Sequence, residues 1–113
     1  MTPTPSTTTT RTVAEADFEA SVLKSTVPVL VDFHAEWCAP CRGMAPGLEQ
    51  LAAELGDAAV VAKVDIDANP ELAERYGVRS IPTLVFIQDG AEVDRVVGAV
   101  SKDALASRLA DLT

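Results

Sequence analysis

The chain has 113 residues, of which 48% are hydrophobic, and its 17 acidic and 9 basic residues give a formal net charge of -8. This length suits a single domain with one core, and the hydrophobic content is sufficient for folding without a metal or a disulfide. The acidic balance argues against nucleic acid or an anionic membrane as a partner, because both bind clustered Lys and Arg. No apolar run approaches the roughly 20 residues that a membrane-spanning helix requires.

The first ten residues are rich in Thr and Pro, which predicts a flexible tail over 1–10 and one domain over 11–113. Because Thr favours extended backbone, residues 7–13 are also compatible with a short edge strand. The start lacks the apolar core of a secretory signal. We therefore expect a cytoplasmic protein, in a compartment that keeps thiols reduced. A monomer is the default expectation.

Helices and strands then alternate along the chain before a late pair of strands. The predicted elements are a helix over 17–25, a strand over 28–33, a helix over 38–55, a strand over 59–65, a helix over 69–76, strands over 83–88 and 91–97, and a final helix that begins after residue 101. Strands that alternate with helices form parallel crossovers, and the last two strands form an antiparallel hairpin. The pattern predicts an α/β fold in which a central mixed sheet of four to five strands is flanked by four helices.

Short local signals mark the ends of these elements. Pro46 is expected to kink the long helix, and Gly56 to end it. Asn69 is expected to cap the third helix and Ser101 the last one. The Asp89–Gly90 pair is typical of a tight hairpin turn.

Cys38 and Cys41 are the chain's two cysteines and lie two residues apart. A bridge between them would close a very small loop and stabilise the fold little, so the pair suits chemistry better than structural support. The predicted helix begins at Cys38, where free backbone N–H groups and the helix dipole favour a thiolate. We expect Cys38 to attack a partner's disulfide and Cys41, one turn inside the helix, to resolve the mixed disulfide. Pro40 is expected to fix the backbone of this redox turn.

Two other interpretations of the cysteine pair remain open. It could be half of a zinc site, but zinc needs two more Cys or His ligands and the chain offers only His34. It could also be an inert, reduced dithiol, although a position at a helix start after a strand is typical of redox pairs. No metal site is therefore predicted.

Asp32 stands at the centre of an almost continuously apolar strand that leads directly to the thiols. An exposed acid on an edge strand is the ordinary alternative. If Asp32 is buried beneath the cysteines, desolvation raises its pKa toward neutrality, and the carboxylate can accept the proton of Cys41 through a water molecule. We therefore predict that Asp32 is the proton acceptor of the resolving step.

Several motifs, taken together and in order, resemble the thioredoxin family over about residues 13–112. They are W-C-A-P-C-R at 37–42, V-D-F-x-A-E at 31–36, the helix proline Pro46, and S-I-P-T-L at 80–84. The resemblance implies the thioredoxin fold and a protein-disulfide reductase with no bound cofactor other than its own redox-active disulfide. It implies oxidised substrate proteins as partners, and re-reduction by a flavoprotein thioredoxin reductase that uses NADPH. The residues themselves leave a ferredoxin-linked system open.

The resemblance also assigns residues around the thiols. It implies that Lys63, on the adjacent strand, tunes Asp32. It implies a cis peptide bond between Ile81 and Pro82, whose backbone would pair with an extended substrate segment. The residues expected to contact substrate are Trp37, Ala39, Ile81, Pro82, Gly98 and Ala99. Trp37 could instead be a core residue. Gly98 and Ala99 could instead form a plain turn between a strand and a helix, with no contact to substrate.

Two positions depart from the family pattern. Ala39 stands where the family usually has Gly, which would stiffen the turn and shift the redox potential in a direction that the sequence does not give. His34 stands where the family has Trp, and a single His at a strand end is usually structural. No catalytic role is assigned to His34.

Two other functions fit the same fold. Disulfide isomerases and oxidants tend to carry His within the dithiol motif and to follow a signal peptide, and neither feature occurs here. An interaction module that has lost its chemistry would lack a cysteine or the acid, and Cys38, Cys41 and Asp32 are all present. The sequence therefore predicts a dithiol oxidoreductase that reduces protein disulfides.

Overall fold

The computed structural model describes residues 10–112 and contains one five-stranded mixed sheet. In the order β1-β3-β2-β4-β5, its strands are β1 (Arg11–Thr12), β3 (Val60–Asp65), β2 (Val29–His34), β4 (Thr83–Gln88) and β5 (Ala91–Val97). The first three strands run parallel, and β4 and β5 are antiparallel additions. The predicted mixed sheet is therefore confirmed. The two residues of β1 form the edge strand that the Thr-rich segment suggested, and residues 1–9, with most of the predicted tail, lie outside the described residues.

Three regular helices pack on the sheet: α1 (Ala39–Leu55), α2 (Pro70–Arg75) and α3 (Lys102–Ala110). The first predicted helix has a different form, since a 3₁₀ turn at Glu15–Asp17 is followed by a π-helical segment at Glu19–Leu23. A segment this short is not stable as a helix in isolation, so packing decides its geometry. Within residues 10–112, no helix is long and apolar enough to cross a membrane.

Side chains of β2 alternate between two hydrophobic cores. Val29, Val31 and Phe33 pack in the core that also buries Phe18. Leu30 packs on the other face, in the core beneath α1 and α3. Successive strand residues point to opposite faces, so Asp32 lies on the same face as Leu30 and toward α1.

The end signals of the helices and of the hairpin are mostly as predicted. The Ser101 hydroxyl accepts a hydrogen bond from the Ala104 N–H at 3.1 Å, and Asp89 and Gly90 both have positive φ, 55° and 82°, in the hairpin turn. Gly56 follows α1 with φ of 56°. Asn69 is the N-cap residue of α2, as predicted, but its side chain makes no hydrogen bond to the start of that helix. The amide oxygen of this buried side chain instead accepts from the Glu15 N–H at 2.9 Å. This hydrogen bond ties the N-terminal segment to the start of α2.

Candidate active site

Cys38 and Cys41 form a disulfide, with Cα atoms 5.2 Å apart, inside the range that a disulfide requires. Cys38 is the N-cap residue of α1, with extended backbone, so the helix begins one residue later than predicted. Cys41 lies in the first turn. Each cysteine is 5% exposed, so overall exposure does not distinguish the attacking residue from the resolving one.

The N-terminus of α1 is directed at the Cys38 sulfur. The Cys41 backbone N–H donates to Cys38 Sγ at 3.2 Å. Because the N-terminal N–H groups of a helix have no partner in the helix, they stabilise negative charge placed there. Pro40 occupies the first turn, where its missing N–H costs nothing, and Ala39 and Pro40 are both exposed. The turn is therefore built to favour a thiolate on Cys38.

Asp32 is 2% exposed, and its Oδ1 atom has no hydrogen-bond partner among the described residues. Burial raises the pKa of Asp32 from 3.8 to about 6, and the positive charge of Lys63 opposes the rise. Lys63 is the register partner of Asp32 across β2 and β3, so the two side chains share one face of the sheet. The carboxyl is therefore buried, as predicted, and it titrates just below neutral pH.

A cavity of about 390 Å³ lies behind the disulfide, between the ends of β2 and β3 and the first turns of α1. Its walls are formed by His34, Ala35, Glu36, Cys41, Arg42, Ala45 and Lys63. This volume admits water, since one molecule occupies about 30 Å³ of liquid. A larger cleft of about 500 Å³ lies at the opposite end of the sheet, beside Arg11 and Val27, and neither cysteine lines it.

His34 is half-buried at the end of β2, with Asp65 as its register partner on β3. Burial lowers the pKa of His34 below 6.5, and Lys63 adds to this, while Asp65 and Glu36 oppose it. The imidazole is therefore mostly neutral at pH 7. The sequence predicted neither the cavity nor the position of His34 in the cavity wall.

The outer face of the site carries Trp37, which is 66% exposed and is not a core residue. Its indole N–H donates to Asp67 Oδ2 at 2.8 Å. Asp67 was missed in the sequence because it lies thirty residues away, in a loop after β3 that carries no local signal.

The opposite rim is formed by the segment before β4 and the end of β5. The Ile81–Pro82 bond is cis, and Cys38 Sγ lies 3.9 Å from the Ile81 carbonyl oxygen. The Gly98 N–H donates to the Pro82 carbonyl at 2.8 Å, and Gly98 has φ of 101°, which suits glycine. Ala99 follows and is exposed. Trp37, Ile81, Pro82 and Gly98 thus lie around the disulfide, with Ala99 next in the chain.

Within residues 10–112, no group of three or more His, Cys, Asp or Glu side chains is arranged to hold a metal ion. The redox-active group of the site is the disulfide itself.

Comparison with known proteins agrees with this geometry. The thioredoxin family model matches residues 9–111. A thioredoxin 1 of Synechococcus elongatus is 52% identical over 97 residues, which cover 86% of this chain and 91% of the relative. A thioredoxin of Mycolicibacterium smegmatis is 52% identical over 101 residues, 88% of this chain and 90% of the relative. A bifunctional thioredoxin reductase/thioredoxin of Mycobacterium leprae is 50% identical over 100 residues, which are 22% of that protein.

The family match spans nearly all of the chain, and the cysteine pair at the start of α1 forms the disulfide that this chemistry uses. The chain therefore belongs to the thioredoxin family of oxidoreductases that act on protein disulfides, and it performs dithiol–disulfide exchange through Cys38 and Cys41.

Proposed function

We propose that the chain works in the reducing direction, as a cytoplasmic, monomeric reductant of protein disulfides that an NADPH-dependent thioredoxin reductase restores. The observation that carries this proposal is the buried carboxyl of Asp32, whose Oδ1 atom has no hydrogen-bond partner among the described residues, on the sheet face beneath the helix that starts at the disulfide. Such an arrangement serves a dithiol that must lose a proton in order to pass electrons to a partner.

The first step is the attack of Cys38 on a partner's disulfide. The Cys38 thiolate forms a bond to one partner sulfur, and the other partner sulfur leaves as a thiolate that takes a proton from water. The N–H of Cys41 and the dipole of the 17-residue α1 support the anion on Cys38. A lower pKa of the Cys38 thiol keeps more of it in the reactive form at neutral pH.

The second step is the resolution of the mixed disulfide by Cys41. Asp32 accepts the proton of the Cys41 thiol, and Cys41 then bonds to Cys38 and displaces the second partner thiolate. The partner gains two electrons, and the two cysteines of the chain lose them. With a pKa of about 6, Asp32 is mostly ionised at pH 7 yet still basic enough to take a proton. Lys63 limits the rise in the pKa of Asp32 and so keeps the base available.

Partner proteins dock on the rim of the disulfide. Trp37 offers an exposed ring, and aromatic residues of this kind are often the main contacts of an interface. The backbone of Ile81 beside Cys38 suits a short strand-like pairing with an extended substrate segment that also contacts Ala39, Pro82, Gly98 and Ala99. The net charge of -8 disfavours nucleic acid and self-association.

The choice of regenerating partner is supported by the Mycobacterium leprae relative, whose name joins a thioredoxin reductase to a thioredoxin in one chain. A stretch of 100 residues of that relative is 50% identical to this chain. A separate reductase of the same kind is the simplest source of electrons for this disulfide.

The test is the reduction of insulin disulfides with NADPH and a bacterial thioredoxin reductase. We expect NADPH oxidation that requires the chain, the reductase and insulin together, and that is lost in Cys38→Ser and Cys41→Ser. A measured redox potential near -270 mV would agree with a reductant. A potential near -120 mV, or no NADPH oxidation with active reductase, would contradict the proposal. Size-exclusion chromatography with light scattering tests the monomer.

A further inference from the structure

The cavity behind the disulfide has an apolar floor and two cations in its wall. We propose that this cavity binds a small aromatic carboxylate, whose ring packs on the floor and whose carboxylate group binds Lys63 and Arg42. Cys41 lines the cavity and Cys38 does not, so the site lies behind the rim on which partner proteins dock. Binding there does not depend on the direction in which the disulfide exchanges electrons.

The size of the cavity suits a single aromatic ring. Its volume of about 390 Å³ lies within the roughly 300–1,000 Å³ that small-molecule sites have. An apolar cavity of about 150 Å³ is already large enough to hold benzene. Ala35 and Ala45 contribute only methyl groups to the wall, so no large side chain from these positions fills the space.

The inner wall of the cavity is apolar and partly aromatic. Ala35 is 1% exposed and Cys41 is 5% exposed, and Ala45 adds a third small side chain from α1. The imidazole of His34 supplies a planar surface, and its pKa is lowered by burial and by Lys63, so the ring is mostly neutral at pH 7. Aromatic rings pack favourably on one another when they are offset or tilted. A ligand with a planar apolar body therefore matches this wall.

The two cations of the wall are available to a ligand. Within residues 10–112, neither Lys63 nor Arg42 forms a salt bridge with an acidic side chain. Lys63 is half-buried, and a cation removed from water gains most from a charged partner. Arg42 donates through Nη1 to the Glu36 carbonyl. A guanidinium has further N–H groups, and their fork matches the two oxygens of a carboxylate.

Charge distinguishes this cavity from the rest of the surface. The chain has a net charge of -8, which repels anions in general, whereas the cavity wall carries two cations and one acid, Glu36. The larger cleft at the other end of the sheet also contains two cations, Arg11 and Lys24. Its wall includes three hydroxyl side chains, however, and these favour water over an aromatic ring.

The mouth of the cavity favours a free small molecule over a polypeptide segment. Glu36 and Arg42 are the exposed residues of the wall, so they form the mouth. The hydrogen bond from Arg42 to the Glu36 carbonyl joins α1 to the loop after β2 at this point. An extended chain would have to break that bond to enter, whereas a single ring with one carboxylate has no chain to accommodate on either side.

The test is a titration of the oxidised, nitrogen-15-labelled protein with benzoate, followed through its amide chemical shifts. We expect a dissociation constant on the order of 1 mM, which is ordinary for a ligand of this size. The largest shifts should fall within residues 34–36 and 41–45 and at Lys63. Benzamide lacks the charge and acetate lacks the ring, so each should bind about tenfold more weakly than benzoate.

Variants of the wall locate the bound molecule. His34→Trp and Ala45→Leu fill the cavity from two different elements, and each should weaken benzoate binding at least about tenfold. Lys63→Met removes one cation, so it should weaken benzoate about tenfold and leave benzamide binding unchanged, which a general loss of structure would not do. The matched control is Lys24→Met, which removes a cation from the other cleft and should leave both affinities unchanged. Thermal melting checks that each variant is folded.

The outcomes decide the site without reference to catalysis. No change in the amide shifts at about 10 mM benzoate would overturn the proposal, and so would equal affinities for benzoate and benzamide. Shifts centred on the segment around Lys24, or loss of binding in Lys24→Met, would place the molecule in the other cleft and overturn it too. Because the shifts are recorded on the wild-type protein, they decide the matter even where a filling variant does not fold. The titration involves no electron transfer, so its failure leaves the proposed function standing.

Discussion

The substitution Asp32→Asn should stabilise the oxidised protein at neutral pH. Burial raises the pKa of Asp32 from 3.8 in the unfolded chain to about 6 in the folded one. Each pKa unit is worth about 1.4 kcal/mol, so keeping this carboxylate ionised in the fold costs about 3 kcal/mol at pH 7. Asn has nearly the same shape and carries no charge, so this cost disappears.

The sign of the pH dependence follows from the direction of the shift. The folded protein binds the proton more tightly than the unfolded chain, so the contribution of Asp32 to stability is fully present below pH 3.8. It is lost as pH rises from 3.8 through about 6, and it is absent by pH 7. Asp32→Asn should therefore match wild type near pH 3.5 and exceed it most above pH 7.

The assay is thermal melting of both oxidised proteins between pH 3.5 and 8.5. For a domain of this size about 3 kcal/mol corresponds to roughly 10 °C, so the melting temperatures should separate by that amount at pH 7.5. A separation that stays constant with pH would mean that shape or hydrogen bonding, and not charge, is responsible. Equal melting temperatures at all pH values would refute the raised pKa itself.

Three further predictions test neighbouring groups. Lys63→Met removes the charge that lowers the pKa of Asp32, so the pH profile of insulin reduction should move to higher pH; an unmoved profile would contradict the coupling. Trp37→Ala should slow reduction of a protein disulfide about tenfold, and more than reduction of a small aromatic disulfide, in stopped-flow assays; equal losses would deny a docking role. Ser101→Ala removes the cap of α3 and should lower the free energy of unfolding by about 1 kcal/mol in urea, with Ser107→Ala, inside α3, as the matched control.

Most of the fold was predictable because its signals are local. The apolar run of β2 indicates a strand buried on both faces, and every residue from Val29 to Phe33 is buried. Asp89–Gly90 tolerates positive φ and marks the hairpin, and Ser101 marks the start of α3. Each signal acts within a few residues, so the sequence alone carries it.

The remainder depends on contacts between distant parts of the chain. The π-helical form of Glu19–Leu23 is set by packing against the sheet, and Asn69 bonds to Glu15 in place of its own helix. The bond from Trp37 to Asp67 and the cavity beside His34 need the fold to bring loops and strand ends together. The spacing of residue types and their secondary-structure propensities contain no information about contacts between residues that are far apart in the sequence.

The site places two acids with opposite requirements at one end of the sheet. The Cys38 sulfur receives an N–H from the start of α1, which stabilises its anion, whereas Asp32 Oδ1 receives none and stays a stronger base than an ordinary Asp. A hydrogen-bond donor added beside Asp32 would stabilise the fold but lower the pKa of Asp32. The carboxylate would then no longer take a proton from Cys41. The unpaired oxygen is thus a condition of the resolving step, and the loss of stability expected above pH 7 is its direct consequence.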